Sequence, residues 1–156
     1  MINRSIIRLS IGLLAGATAI GLAQHAGHDH AKDDKMIQHT EHDAMFQECA
    51  KACGDCQRIC DQCATHCAHK IGEGDKEHLA TLMSCRDCAT MCSACAEVCA
   101  RGGTYAGIVA DACDKVCELC AAACEKLPSD THMKACAEEC HRCAKSCRTM
   151  ANHAPK

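Results

Sequence analysis

The stretch from Cys49 to Cys67 constrains the fold of this chain more than any other. Cys49, Cys53, Cys56, Cys60, Cys63 and Cys67 follow one another in steps of four, three, four, three and four. The mean step is about 3.5 residues, the repeat of an inward-facing helical seam. On a strand the same side chains would scatter over both faces. The segment therefore reads as one helix with a continuous stripe of thiols facing its neighbours. Bundle seams are normally built from Leu, Ile and Val. Here soft sulfur donors occupy the positions of an apolar core.

The pattern recurs three times. Cys85, Cys88, Cys92, Cys95 and Cys99 step by three, four, three and four. Cys113, Cys117, Cys120 and Cys124 form a third run, and Cys136, Cys140, Cys143 and Cys147 a fourth. These runs account for all 19 cysteines of the 156 residues. Gly72 and Gly74 stop the first helix, Gly102 and Gly103 the second, and Pro128 closes the third connection. Thr40 with Asp43, Asp75, Thr104, and Ser129 or Asp130 supply helix starts. Helices are expected over about 41–70, 76–101, 105–126 and 130–151. Short connections favour antiparallel neighbours. The fold class is therefore all-α, an antiparallel up-down-up-down four-helix bundle with cysteines lining the core. With no Trp, one Phe (Phe46) and one Tyr (Tyr105), that core must be filled by Cys and Ala.

The first 23 residues read as a signal peptide. Arg4 and Arg8 precede an apolar run from Ile11 to Ala23, and Gly21-Leu22-Ala23 offers a small-x-small cleavage site. No adjacent arginine pair is present, which favours the general secretory route. The expectation is an exported, periplasmic protein, with an uncleaved membrane anchor as the alternative. Loss of Arg4 and Arg8 would take the formal charge from −3 to −5. No basic run marks a nucleic-acid footprint. Residues 24–40 form a polar leader carrying His25, His28, His30 and His39. It reads equally as a solvated tail and as a weak metal scavenger. Residues 153–156 are a short C-terminal tail.

Cysteines four apart on a helix have Cβ atoms roughly 5–6 Å apart on one face. Two metal–sulfur bonds of about 2.3 Å, the zinc–thiolate value, span a similar gap. Nine such pairs exist: 49/53, 56/60, 63/67, 88/92, 95/99, 113/117, 120/124, 136/140 and 143/147. Cys85 is left to bridge to a neighbour. Dense thiolate with few fixed carboxylates selects a soft ion such as Cu(I). Charge agrees, because one monovalent ion per thiolate leaves a buried axis neutral. The expected cargo is many Cu(I) ions, approaching one per cysteine.

A packed core made of cysteine alone would ignore the Leu, Ile and Val that cores draw on first. A disulfide framework suits an exported chain, but the count is odd and thiols along one helix do not point toward closure. The iron–sulfur spacing C-x2-C-x2-C-x3-C-P is absent. No nucleophile–base arrangement stands apart from the thiols, so no enzyme is expected. The alternatives kept open are a thiolate buffer for zinc or cadmium and a disulfide-stabilised interaction module.

Four runs in this order, beginning C-A-K-A-C-G-D-C and ending C-A-E-E-C-H-R-C-A-K-S-C, resemble the bacterial copper storage proteins of the exported type. The resemblance spans Cys49 to Cys147. It implies a four-helix bundle holding many Cu(I) ions on thiolates, with exported members able to form homotetramers. Copper chaperones or copper enzymes would be the partners in supply.

Extending the first stripe backwards reaches Phe46, His42 and His39, with Met45 beside it; extending the last forwards reaches Met150. Imidazole and thioether hold Cu(I) more exchangeably than paired thiolates. His39, His42, Met45 and Met150 are the candidate intake for copper. At the opposite end His78 and Met133 lie on stripes, with His66, His69 and His132 nearby, and form the competing mouth.

Overall fold

The computed structural model describes residues 41–153, with side chains described from Asp43 onward. The expected signal peptide, the leader, the Thr40 cap, the side chain of His42 and residues 154–156 lie outside what is described.

Four helices account for the described chain: α1 (Glu41–Gly72), α2 (His78–Ala100), α3 (Ala106–Cys124) and α4 (Thr131–His153). Each packs against the helix before and after it, and α1 closes the ring against α4. The diagonal pairs α1/α3 and α2/α4 do not meet through their backbones. The result is a four-cornered bundle in chain order, with its core along the central axis.

Two glycines explain the first two helix ends. Gly74 (φ 101°) follows α1, and the next N–H, from Asp75, bonds to the Lys70 carbonyl at 3.0 Å. Gly102 (φ 60°) follows α2, and the Gly103 N–H reaches the Val98 carbonyl at 2.9 Å. Both are left-handed caps of the Schellman kind, where a side chain beyond Gly would be strained. Helix α2 starts two residues later than the sequence predicts. Asp75 Oδ1 accepts the Glu77 N–H at 3.2 Å, and this local turn holds Lys76 and Glu77 outside the helix. Helix α3 stops at Cys124, short of Lys126, because Pro128 disfavours helical backbone just before it. Asp130 caps α4: its Oδ1 accepts the N–H groups of His132 at 2.8 Å and Met133 at 3.4 Å.

The core is sulfur and alanine. All 19 cysteines are buried, the most exposed being Cys63 at 2%. Ala64, Ala89, Ala106, Ala110, Ala121, Ala137 and Ala144 fill the intervening positions. Phe46 and Met150 are buried at one end, Met133 at the other. Small side chains let four helices approach closely enough for sulfurs on different helices to touch. Outside the axis, Arg148 ties α4 to α3 by donating to both oxygens of the buried Asp114 carboxylate at 3.0 and 2.7 Å. None of the four described helices is long and apolar enough to cross a membrane.

Candidate metal centre

The 4-3 step delivers each thiol to the axis, and the ring of helices sets which thiols meet. At least five quartets have all their sulfurs within 4.8 Å of one another. They are Cys49/Cys53/Cys95/Cys147, Cys53/Cys113/Cys143/Cys147, Cys56/Cys92/Cys117/Cys143, Cys56/Cys60/Cys88/Cys140 and Cys60/Cys120/Cys136/Cys140. The middle quartet takes one sulfur from each helix. Neighbouring quartets share one or two members, so the sites are links of one column rather than separate pockets. Cys85, without an i+4 partner, lies 3.8–3.9 Å from Cys120, Cys124 and Cys136.

Spacing decides what such a column can hold. Close Sγ–Sγ contacts run from 3.5 Å (Cys53–Cys147) to 4.0 Å (Cys53–Cys113). Five of the same-helix pairs, including 56/60 and 113/117, stand at 3.9 Å. With metal–sulfur bonds of about 2.3 Å, a linear site needs sulfurs about 4.6 Å apart, a trigonal site about 4.0 Å and a tetrahedral site about 3.8 Å. The observed spacing suits ions that gather three or four sulfurs from several helices. In those five pairs it is shorter than a linear bridge within one helix requires.

The protons on these sulfurs are distributed unevenly. Cys53 is pushed up by its contacts with Cys113, Cys143, Cys147 and Cys49, and Cys60 likewise by its contacts with Cys120, Cys136, Cys140 and Cys56. Cys56 and Cys113, each in contact with four neighbouring thiols of which Cys117 has the largest effect, are pulled down. Cys67 is pushed up to about 12, first by burial and then by the charge of Cys63. Cys99 is pushed up to about 12, chiefly through its bond to Cys49. Cys49 in turn is lowered to about 5, chiefly through its bond with Cys147. A dry column cannot carry many bare thiolates. Cations entering the column would displace the remaining protons.

Of the candidate intake residues, Met150 is buried and Met45 is half-buried, lining an outer groove between α1 and α4 with Glu48, Lys51 and Thr149. His39 and His42 lie outside the described side chains. At the other end Met133 accepts a contact from the Cys63 thiol at 3.8 Å. His66, His78 and His132 gather there, while His69 faces solvent. Asp130 joins them: its Oδ2 lies 2.7 Å from His66 Nε2 and 3.4 Å from His78 Nε2. The sequence marks Asp130 only as a candidate helix cap. Its one local signal, a position just before the fourth helix, says nothing about the histidines of α1 and α2 that the fold brings to it.

Fold and site together define a class: a four-helix bundle whose core is a column of thiols able to bind metal ions. Within that class the copper storage protein family matches residues 41–152, and the chain belongs to that family. A crystal structure of a protein from Nitrosospira multiformis is similar, at 30% sequence identity and a TM-score of 0.62, covering 70% of this chain and 97% of that one. No curated protein matches this chain.

Proposed function

We propose that this copper storage protein binds many Cu(I) ions on its 19 cysteine thiolates, as a reserve or as protection, without catalysing a reaction. The observation that carries this reading is the continuous buried column of sulfurs 3.5–4.0 Å apart. Three-sulfur spacing suits Cu(I), and soft donors favour it over harder ions. We further propose export to the periplasm, supported by the signal-like first 23 residues. Assembly as a homotetramer and delivery to copper chaperones or enzymes belong to the same reading. Copper is taken up where α1 begins and α4 ends, through His39, His42, Met45 and Met150. Replacing all four should slow uptake without lowering capacity, and an unchanged uptake rate would move the intake elsewhere.

Four-sulfur quartets also fit zinc or cadmium, which is the second reading. Competition against a Cu(I)-specific chelator, with free thiols counted before and after loading, separates the two. Capacity approaching one Cu(I) per cysteine supports copper storage. Saturation near five ions per chain, with a divalent metal preferred, would favour the second reading. Few free thiols in the metal-free protein before any reductant is added would point instead to a disulfide-stabilised module.

A further inference from the structure

The end of the bundle where α1 finishes and α4 starts carries a cluster that the thiol column does not use. Two imidazole nitrogens, His66 Nε2 and His78 Nε2, converge on one oxygen of Asp130. His78 is only 4% exposed, yet neither of its nitrogens is well served. Nε2 stands at a long 3.4 Å from Asp130. Nδ1 lies 3.1 Å from an Asp75 carboxylate oxygen but outside hydrogen-bond geometry, and it has no other partner. A buried imidazole so placed costs stability unless something else satisfies it.

We propose that His66, His78 and Asp130 form a second metal site, separate from the thiolates, for a divalent ion of the Zn2+ class. Bonds of about 2.0–2.1 Å in a tetrahedron put ligand atoms about 3.3 Å apart. His78 Nε2 and Asp130 Oδ2 already stand at that separation, and His66 need withdraw by only about 0.6 Å from its hydrogen bond. The supports are in place. His132 stacks on the His66 ring, centroids 4.2 Å apart and planes 15° apart, which fixes the ring's direction. Asp130 is held by the α4 N–H groups on its other oxygen. Asp75, 3.1 Å from His78 Nδ1, needs only to turn to become the outer carboxylate that commonly orients a metal-bound histidine. The side chains of His66 and Asp130 keep 19% and 16% exposure, which leaves the fourth position open to solvent. Imidazole and carboxylate suit Zn2+, whereas Cu(I) is drawn to the thiolates deeper in. One chain would therefore sort two metals by donor type, with the divalent ion seated over the end of the column beside Met133.

The test uses the full-length chain with its leader histidines replaced by alanine and its thiols first saturated with Cu(I). Failure of that loading would overturn the copper reading before any zinc is added. Zn2+ is then titrated by equilibrium dialysis, and the bound ion examined by X-ray absorption at the zinc edge. The expected result is one Zn2+ per chain, with only nitrogen and oxygen neighbours near ~2.0–2.1 Å. D130N, which keeps a side-chain oxygen to cap α4, and H78Q should each weaken binding at least tenfold. H141Q, altering an exposed histidine on another face, should not. Circular dichroism establishes that each variant is folded. Sulfur neighbours near ~2.3 Å, no retained zinc, or equal affinity in folded H78Q and the parent chain would overturn the proposal.

Discussion

Cys56 belongs to two quartets, with Cys92, Cys117 and Cys143 on one side and with Cys60, Cys88 and Cys140 on the other. A sulfur shared in this way counts twice. Cys56→Ser should lower Cu(I) capacity by about one to two ions, because hydroxyl oxygen is a poor donor for a soft cation. A chelator-competition titration reads the loss, and unchanged capacity would mean that copper does not occupy these quartets. Asp130 shows the residue scale differently. Burial pushes its carboxyl up, but bonds from His66, from the His132 and Met133 N–H groups and from His78 outweigh that and hold it at about 2. Its folded value is therefore below its unfolded one. The stability it contributes is complete above about pH 4 and is lost as pH falls toward 2, amounting to at most about 2 kcal/mol. Urea melts of the metal-free protein between pH 5 and 2 should show this slope, and D130N should lack its share of it.

The helices were legible because each carries its own message. A 3-4 step of buried thiols has one regular solution, and Gly74 and Gly102 sit where left-handed backbone is needed. The start of α2 was less legible. Asp75 has the chemistry of a helix start, but it makes a local turn that holds Lys76 and Glu77 out. Joins between helices were not legible at all. Sequence spacing gives i,i+4 neighbours, but whether Cys53 meets Cys113 or Cys147 depends on the axial register of α1 against α3 and α4. Loop geometry and alanine packing set that register, and neither has a one-dimensional signature. The same holds for His66, His78 and Asp130, which come from three elements. The caps themselves can be tested. At Gly102 an added Cβ would meet nothing within 4 Å, so Gly102→Ala isolates the backbone cost. It should destabilise the metal-free bundle by about 1 kcal/mol, lowering its melting temperature by about 4 °C. No shift in a thermal melt would mean that the turn relaxes to another conformation.

At the scale of the whole molecule, the core holds weakly acidic hydrogens where most proteins hold hydrocarbon, and this ties folding to both pH and metal. Cys67 and Cys99 have folded values near 12, above the ordinary thiol value of 9.0. The neutral forms are thus favoured by the fold. Their contribution is fully present below about pH 9 and is lost as pH rises toward 12. Metal reverses the dependence, since a coordinating thiol has already given up its proton. The metal-free bundle should lose stability progressively between pH 9 and 12, while the Cu(I)-loaded bundle holds its melting temperature across that range. Loaded protein should also melt higher at neutral pH, because an ion bound only by the folded state adds to folding free energy. Loading itself must release protons, so Cu(I) affinity should rise with pH through the neutral range. Proton release can be followed with an indicator dye in weakly buffered solution during copper addition. Copper bound without proton release would place it away from these thiols. Identical alkaline melts of the empty and loaded protein would remove the link between the column's charge state and the stability of the bundle around it.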